Sequence, residues 1–185
     1  MSSESSSGEE KHNGGSGKTY YDSKVRDLAT RAANDALGDD VGSNFPSLDA
    51  AAKAWAGAVR SVADKYHVEI GSKLFKVSGG YAFGSAVASG WICRDECSVN
   101  PNLGGDVGRV RVGDIHTHPG NRVRGFVFSE ADLHSTYEDA NGSGRASTGY
   151  VSLQNGQLWK FSSTQVDGTA GRRWEDYDKR AQLVK

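Results

Sequence analysis

The sequence predicts an α+β (mixed α/β) fold in which helices flank one central sheet. Two segments with helical periodicity come first, over residues 20–40 and 44–67. The apolar residues then alternate at strand period, and one short helical segment over residues 129–140 interrupts that pattern. The order helix, helix, strands, helix, strands and a closing helix is typical of helices packed against a single sheet.

The two N-terminal helices are predicted from apolar residues that recur every three to four positions. The first is expected to end at Gly38 and to carry an apolar stripe of Val25, Leu28, Ala32, Ala36 and Leu37. The second has Ser47 as its expected N-cap and a stripe of Leu48, Ala51, Trp55, Val59 and Val62. Both stripes indicate core packing.

The strands are predicted from alternation and from turn residues. Residues 67–77 and 80–91 read as strands joined at Gly79-Gly80, and residues 149–161 as a hairpin closed at Asn155-Gly156. Side chains two apart on a strand share a face, so residues 107–118 are expected to present one face made of Val110, Val112, Asp114, His116 and His118. Residues 172–184 are predicted to form the closing helix.

Length and composition indicate one globular domain over residues 19–185, with its core at about residues 45–161. Residues 1–18 contain no apolar residue after Met1. They are predicted to be a flexible Ser/Gly-rich linker, either the edge of a longer protein or an expression remnant.

Charge and hydropathy exclude two classes of partner. The formal net charge is −1, so no nucleic-acid partner is expected, and the local arginines are interpreted as solvent-facing: Arg109, Arg111, Arg122 and Arg124. No run of about 18 apolar residues is present, so no membrane span is expected. No Sec-type apolar segment follows Met1, so export would use another route or an upstream segment.

The state of the two cysteines, Cys93 and Cys97, is left open by their spacing. A single Cys-x3-Cys pair is a weak zinc signal because structural zinc takes four ligands. A local disulfide and two free thiols are equally compatible with the sequence.

The stretch DIHTHPGNRVRGFVFSEADLH, residues 114–134, carries the residues best suited to chemistry. His116 and His118 are expected about 7 Å apart on one strand face, where both imidazoles can reach one metal ion. Pro119 ends the strand there. Asp132, in the first turn of the next helix, is the expected third ligand, which leaves a fourth tetrahedral position open for water.

Each half of this pattern also has a structural explanation. Ser129 and Asp132 have nearly the spacing of a helix capping box, and two histidines alternating on a strand are more often not a metal pair. The two halves in this order are much less expected by chance. A capped helix start is also a rigid place to hold a ligand, so the two interpretations are compatible.

The sequence HTHP, followed after nine residues by SEAD, resembles the His-x-His-Pro…Ser-x-x-Asp signature of the JAMM (MPN-plus) zinc metalloproteases. It looks most like the JAB-like domains at the C-terminal ends of bacterial polymorphic toxins and secretion effectors. The similarity covers about residues 45–161 and includes VEIG at residues 68–71 and YVSLQNG at residues 150–156. It implies a JAB/MPN-like sandwich of the cytidine-deaminase type.

The resemblance also implies roles for individual residues. The ligands of a Zn2+ cofactor would be His116, His118 and Asp132. Glu69 would act as general base on the attacking water, and Ser129 would help to hold the developing oxyanion.

Other residues near the motif are less strongly indicated as catalytic residues or as neighbours of the metal ligands. Glu130 and Glu96 are the alternative bases. Asp114 is in phase with the histidines and is a candidate acceptor for one imidazole. His67 is in phase with Glu69 and is either half buried or part of the site's surroundings, whereas His134 is expected at the surface.

Together these features predict a zinc-dependent amide or isopeptide hydrolase, delivered as a bacterial toxin or effector domain to the cytoplasm or periplasm of a target cell. The substrate would be a protein, a ubiquitin-like conjugate or a peptide cross-link of the cell wall, and an immunity protein would be the expected partner. The sequence leaves two alternatives to this prediction. The first is a catalytically inactive JAB-like binding module, and the second is a domain that releases itself from a longer precursor.

Overall fold

The computed structural model describes residues 19–93, 103, 108–118, 127–165 and 179–185. As predicted, the architecture is α+β. Three α-helices in the described residues pack against a seven-stranded mixed sheet, and a small two-stranded sheet lies beside it. The helices are α1 (Ser23–Leu37), α2 (Leu48–Tyr66) and α3 (Glu130–Ser143). The predicted linker at residues 1–18 lies outside the described part of the chain.

The strands of the large sheet are β2 (Ile70–Val77), β3 (Gly80–Phe83), β4 (Val87–Ala88), β6 (Val110–Thr117), β7 (Thr148–Ser152), β8 (Leu158–Ser162) and β9 (Gln182–Leu183). Their order is β3-β2-β6-β7-β8-β9, with β4 paired to the start of β2. The small sheet pairs β1 (Thr19–Tyr21) with β5 (Trp91–Cys93). The predicted turns at Gly79-Gly80 and Asn155-Gly156 both connect antiparallel strands.

The pairing of β6 with β7 determines where the two histidines at the end of β6 lie in the sheet. This pair is parallel, whereas its neighbours β2–β6 and β7–β8 are antiparallel. A parallel pair needs a crossover connection, and here the connection contains α3. The C-terminal ends of β6 and β7 therefore meet at one edge of the sheet, the position where open α/β sheets generally hold their ligands.

The sheet is covered on both faces. One core, built from α1, α2 and one sheet face, contains Trp55, Ile70, Leu74, Ile115 and Tyr150. The other, between α3 and the opposite face, contains Phe128, Leu133, Val151, Leu153 and Phe161. Polar contacts also fix α2 to the sheet: Trp55 Nε1 donates to Ser72 Oγ at 2.7 Å. Asp49 accepts from the Tyr150 hydroxyl at 2.6 Å and from Lys160 Nζ at 2.8 Å.

Helix α2 matches its prediction, whereas the buried face of α1 is offset from the predicted one. Ser47 caps α2 by accepting from Ala50 N, and Ala51, Trp55 and Val59 are fully buried. In α1 Leu37 is buried as predicted, but the other buried residues are Ala29 and Ala33. Leu28 is 49% exposed. The buried alanines of α1 pack in one core with the buried alanines of α2, and Leu28 lies outside that core.

The predicted single face of β6 is correct only for its C-terminal half. The register with β2 shifts between Leu74 and Phe75, so that Val112 has no partner of its own in β2. The extra residue reverses the alternation, as β-bulges do. Val112 therefore packs with Ile115 in the core of α1 and α2, while His116 lies on the other face.

The predicted closing helix is wrong at its C-terminal end. Gln182 and Leu183 form β9, which pairs with Trp159 and Lys160 of β8. Residues 166–178, including Trp174, lie outside the described ranges. None of the helices that the structure describes is long and apolar enough to cross a membrane.

Replacing Gly113 by alanine is expected to destabilise the fold by about 1–3 kcal/mol, because the strands leave no room for a side chain. A Cβ there would lie 2.0 Å from the carbonyl oxygen of Thr148, its partner in β7. Gly57→Ala, at an exposed and open position of α2, is the matched control and should stabilise by about 0.5–1 kcal/mol. Urea unfolding midpoints measure both. Equal midpoints for the two variants would contradict the close approach of β6 and β7.

Candidate metal centre

The two histidines of the motif lie at the C-terminal end of β6 and face α3. His116 is 6% exposed and His118 is fully buried. Thr117, between them, points to the other side, where its Oγ1 accepts a hydrogen bond from Ile70 N at 3.0 Å. The strand therefore presents two imidazoles on one buried face, as the alternation predicts.

Asp132 is brought to the same place by the start of α3. Ser129 is the N-cap: its Oγ accepts from Asp132 N at 3.2 Å, and Asp132 Oδ2 accepts from Ser129 N at 2.7 Å. This reciprocal pair is a capping box. The structural explanation of Ser-x-x-Asp is thus confirmed, and the same capped turn directs the carboxylate of Asp132 toward the histidines.

The ligand atoms of the three side chains converge on one point. His116 Nε2 and His118 Nε2 are 3.1 Å apart. His116 Nε2 lies 3.1 Å from Asp132 Oδ1, and His118 Nε2 lies 3.3 Å from Asp132 Oδ2. Such a group of buried nitrogen and carboxylate atoms could hold a metal ion.

These distances suit a small tetrahedral ion. Bonds of about 2.0–2.1 Å to histidine nitrogen and carboxylate oxygen separate neighbouring ligand atoms by about 3.3 Å. Asp132 Oδ1 is buried and lies 3.1 Å from His116 Nε2 without a well-formed hydrogen bond among the described residues. A buried carboxylate oxygen directed at two imidazole nitrogens in this way is well explained as a metal ligand. The residues present therefore fit a metal with histidine and aspartate ligands.

Glu69 lies beside this group. It immediately precedes β2 and is 1% exposed. Gly71 pairs with His116, so continuing this antiparallel register places Glu69 opposite His118 and on the same face. The structure thus places a second buried carboxylate, the one that the resemblance of VEIG singles out, on the same face as the two histidines.

The charges of the site are strongly coupled. Burial alone would raise the pKa of Asp132, but the positive charge of His116 holds that pKa well below its usual value. Burial opposes the charged form of His116 as well, yet the carboxylates of Asp132, Glu69 and Asp114 raise its pKa to about 9.

Burial lowers the pKa of His118; Asp132 opposes this through its hydrogen bond and charge, whereas the charges of His116 and Arg60 add to the lowering. An ionised Asp132 and a neutral His118 are the forms in which these side chains bind metals.

Asp114 joins the site to α3 through an arginine. Its Oδ1 lies 4.0 Å from His116 Nδ1, too far for a direct hydrogen bond, and its Oδ2 lies 3.1 Å from Arg111 Nη2. Arg111 also contacts Asp139 Oδ2 of α3 at 2.9 Å. Arg111 is therefore partly buried in an ion-pair network, and the prediction that it faces solvent is wrong. The β-bulge at Val112 explains the difference because it changes the direction of the preceding side chain.

Arg60 is a residue near the site that the sequence does not reveal. It lies on α2, and its Nη1 donates to the carbonyl oxygens of His118 at 2.9 Å and of Ser152 at 2.6 Å. In the sequence it is one of several polar residues on an amphipathic helix. Only the ends of β6 and β7, brought together by the fold, give it these partners.

The other predicted residues are placed as follows. His134 is on the surface, as predicted, and its Nε2 lies 3.8 Å from Glu138. His67 is exposed and ends α2 in the left-handed conformation with φ 55°, so it takes no part in the site. Glu130, one of the two alternative bases, is also exposed. Glu96, Arg122 and Arg124 lie outside the described residues.

Cys93, at the end of β5, is disulfide-bonded. This agrees with the disulfide alternative of the sequence analysis, and Cys97 lies outside the described residues. Cys93 N also donates to the carbonyl of His67 at 2.7 Å, which joins β5 to the segment that leads into Glu69.

No protein-family model, curated protein or solved structure matches this chain. What the site does is therefore inferred from its own residues and geometry.

Proposed function

We propose that this chain is a zinc-dependent amide or isopeptide hydrolase of the JAMM type. The observation that carries the proposal is the convergence of His116 Nε2, His118 Nε2 and the Asp132 carboxylate at separations of 3.1–3.3 Å, with a further buried carboxylate, Glu69, beside them. A purely structural zinc site has four protein ligands, whereas three ligands plus a nearby base are typical of hydrolytic sites.

The proposed chemistry divides between the metal and two side chains. A bound zinc ion would supply Lewis-acid activation of water and of the scissile carbonyl. The Glu69 carboxylate would accept the proton of the attacking water and pass it to the leaving amine. The Ser129 hydroxyl accepts the Asp132 N–H, so its own hydrogen is available to donate to the developing oxyanion.

The substrate and setting follow from the resemblance to toxin-associated JAB-like domains. It supports a protein, ubiquitin-like conjugate or peptide cross-link as substrate, delivery as a toxin or effector, and an immunity protein as partner. A rigid site built from the end of the central strand β6 and the capped start of α3 is also what a protease needs in order to hold a peptide group in place.

Elemental analysis of the purified protein tests the metal site first. Wild-type protein prepared without chelator should contain about one zinc per chain. His118→Ala should contain little, because the variant removes one of three ligands. His134→Ala, which removes an exposed histidine of α3, is the control and should keep its zinc. Equal, negligible zinc in all three proteins would leave Ser129 and Asp132 as a helix cap and overturn the proposal.

Hydrolysis is then measured on libraries of amide and isopeptide substrates, with and without chelator. Cleavage that chelator abolishes and zinc restores would support the hydrolase. One zinc per chain without cleavage of any substrate class would instead favour the JAB-like binding module. A longer precursor that cuts itself only without chelator would favour self-release.

A further inference from the structure

Arg60 contacts the metal site from the opposite face of the sheet. The three proposed ligands face α3, whereas Arg60 belongs to α2, which packs on the other face. Its side chain is only 12% exposed. Its guanidinium reaches the edge where β6 and β7 end and touches the backbone there, not the imidazole of His118.

The two carbonyls that Arg60 binds lie at the end of the parallel pair. Ser152 is the last paired residue of β7, and His118 directly follows the last paired residue of β6 and donates from its N to Ser152 O at 3.0 Å. Arg60 Nη1 donates to that same Ser152 oxygen and to the oxygen of His118. The end of β6 is thus joined to the end of β7 both directly and through the guanidinium.

The orientation of the guanidinium is itself fixed. Asp64, one helical turn later on α2, accepts from Nη2 at 2.6 Å and from Nε at 3.1 Å. A planar guanidinium held on one side by a carboxylate presents its remaining donors in a set direction. Arg60 is therefore a rigid connection between α2 and the backbone of His118.

We propose that Arg60 is a positioning residue of the metal site, which fixes the backbone of His118 so that its Nε2 stays in place for the metal. The inference rests on the metal site of the proposed function. Metal ligands must be held within a few tenths of an ångström of their ideal distances. His118 directly follows Thr117, the last paired residue of β6, so the position of its backbone depends on what holds the strand end.

Because Arg60 is charged, the direction in which zinc affinity changes when it is replaced tests the proposal. A guanidinium near a metal ion repels it, so removal of the charge alone would tighten metal binding. Loss of a positioning contact weakens it instead, by about 10–100-fold for residues that support metal ligands. The two effects of one substitution therefore have opposite directions.

Zinc dissociation constants, measured by competition with a chromophoric chelator on wild type and Arg60→Met, separate these effects. We expect Arg60→Met to bind zinc about 10–100-fold more weakly, and the visible spectrum of the Co2+-substituted protein to change because the ligand geometry relaxes. Arg60→Lys should be intermediate, since one ammonium cannot contact Asp64 and both carbonyls in the same way.

Asp49→Asn is the matched control. Asp49 also joins α2 to the sheet, through Tyr150 and Lys160, but away from the ligands. This variant should lower thermal stability without changing zinc affinity or the Co2+ spectrum. If Arg60→Met does not fold, Asp64→Asn takes its place, because it removes only the group that orients the guanidinium, and it should weaken zinc binding to a smaller degree.

The outcomes separate this inference from the proposed function. Unchanged or tighter zinc binding in folded Arg60→Met, or in Asp64→Asn where it replaces it, overturns the role of Arg60 and leaves the metal site intact. No zinc binding by the wild type overturns the metal site, and the role of Arg60 with it. Equal weakening in Asp49→Asn would show a general effect of α2 packing and also overturn the positioning role.

Discussion

Replacing Glu69 by glutamine is expected to lower hydrolysis by about 10²–10⁴-fold, the usual contribution of a general acid–base group, while the protein keeps about one zinc per chain. Glutamine has nearly the shape of glutamate but cannot take up a proton from water. Glu69 is buried beside the ligands, and its charge acts on His116. Its carboxylate is not one of the three proposed metal ligands, which are His116, His118 and Asp132. Zinc content should therefore not depend on Glu69.

The measurement is the rate of cleavage of the best substrate at saturating zinc, with zinc content determined on the same preparation. Glu130→Gln is the control, because Glu130 is an exposed glutamate in the first turn of α3. It should have wild-type activity. Full activity in Glu69→Gln would remove Glu69 from the mechanism, and loss of activity in Glu130→Gln would identify the alternative base instead.

Local patterns predicted most of the residues of this site. Strand alternation places His116 and His118 on one face, and helix-capping chemistry places Asp132 and Ser129 at the start of α3. These signals depend on near neighbours in sequence, so they can be read without the fold. The buried position of Glu69 is different, because it depends on which strand pairs with β6. Only the resemblance of VEIG to a family motif pointed to it.

The predictions that failed concern contacts between distant segments. The buried face of α1 depends on how closely α2 approaches, and the direction of Arg111 depends on a bulge whose partner strand is β2. The C-terminal residues became a strand because β8 offers them a free edge, although their composition also suits a helix. Arg60 gave no signal, because its two carbonyl partners are 58 and 92 residues away.

Replacing Asp132 by asparagine is expected to weaken zinc binding by at least about a hundredfold, because the variant removes the one anionic ligand. Asp132 has two functions here, since its carboxylate accepts the Ser129 N–H and also faces both imidazoles. Asparagine keeps an oxygen that can accept the Ser129 N–H, so the start of α3 should survive. The loss of affinity would then come from the missing charge and ligand.

Ser129→Ala makes the complementary change. It removes the hydroxyl that caps α3, at a cost of about 0.5–2 kcal/mol in stability, but it leaves the carboxylate of Asp132 in place. The thermal unfolding temperature of each variant, measured at increasing zinc concentration, reports both its stability without zinc and its affinity for zinc. A ligand that binds only the folded state raises that temperature according to its affinity. Ser129→Ala should unfold at lower temperature and still be stabilised by zinc, whereas Asp132→Asn should gain little from zinc.

The two variants together decide between the interpretations of Ser-x-x-Asp that the sequence leaves open. If the motif were only a cap, Ser129→Ala would lower stability, Asp132→Asn would lower it much less, and zinc would stabilise neither the variants nor the wild type. If the cap holds the carboxylate so firmly that the site depends on it, Ser129→Ala would also weaken zinc binding, but less than Asp132→Asn. The same hydrogen-bonded turn would then stabilise the helix and hold the third ligand, and the larger loss in Asp132→Asn would measure the contribution of the ligand.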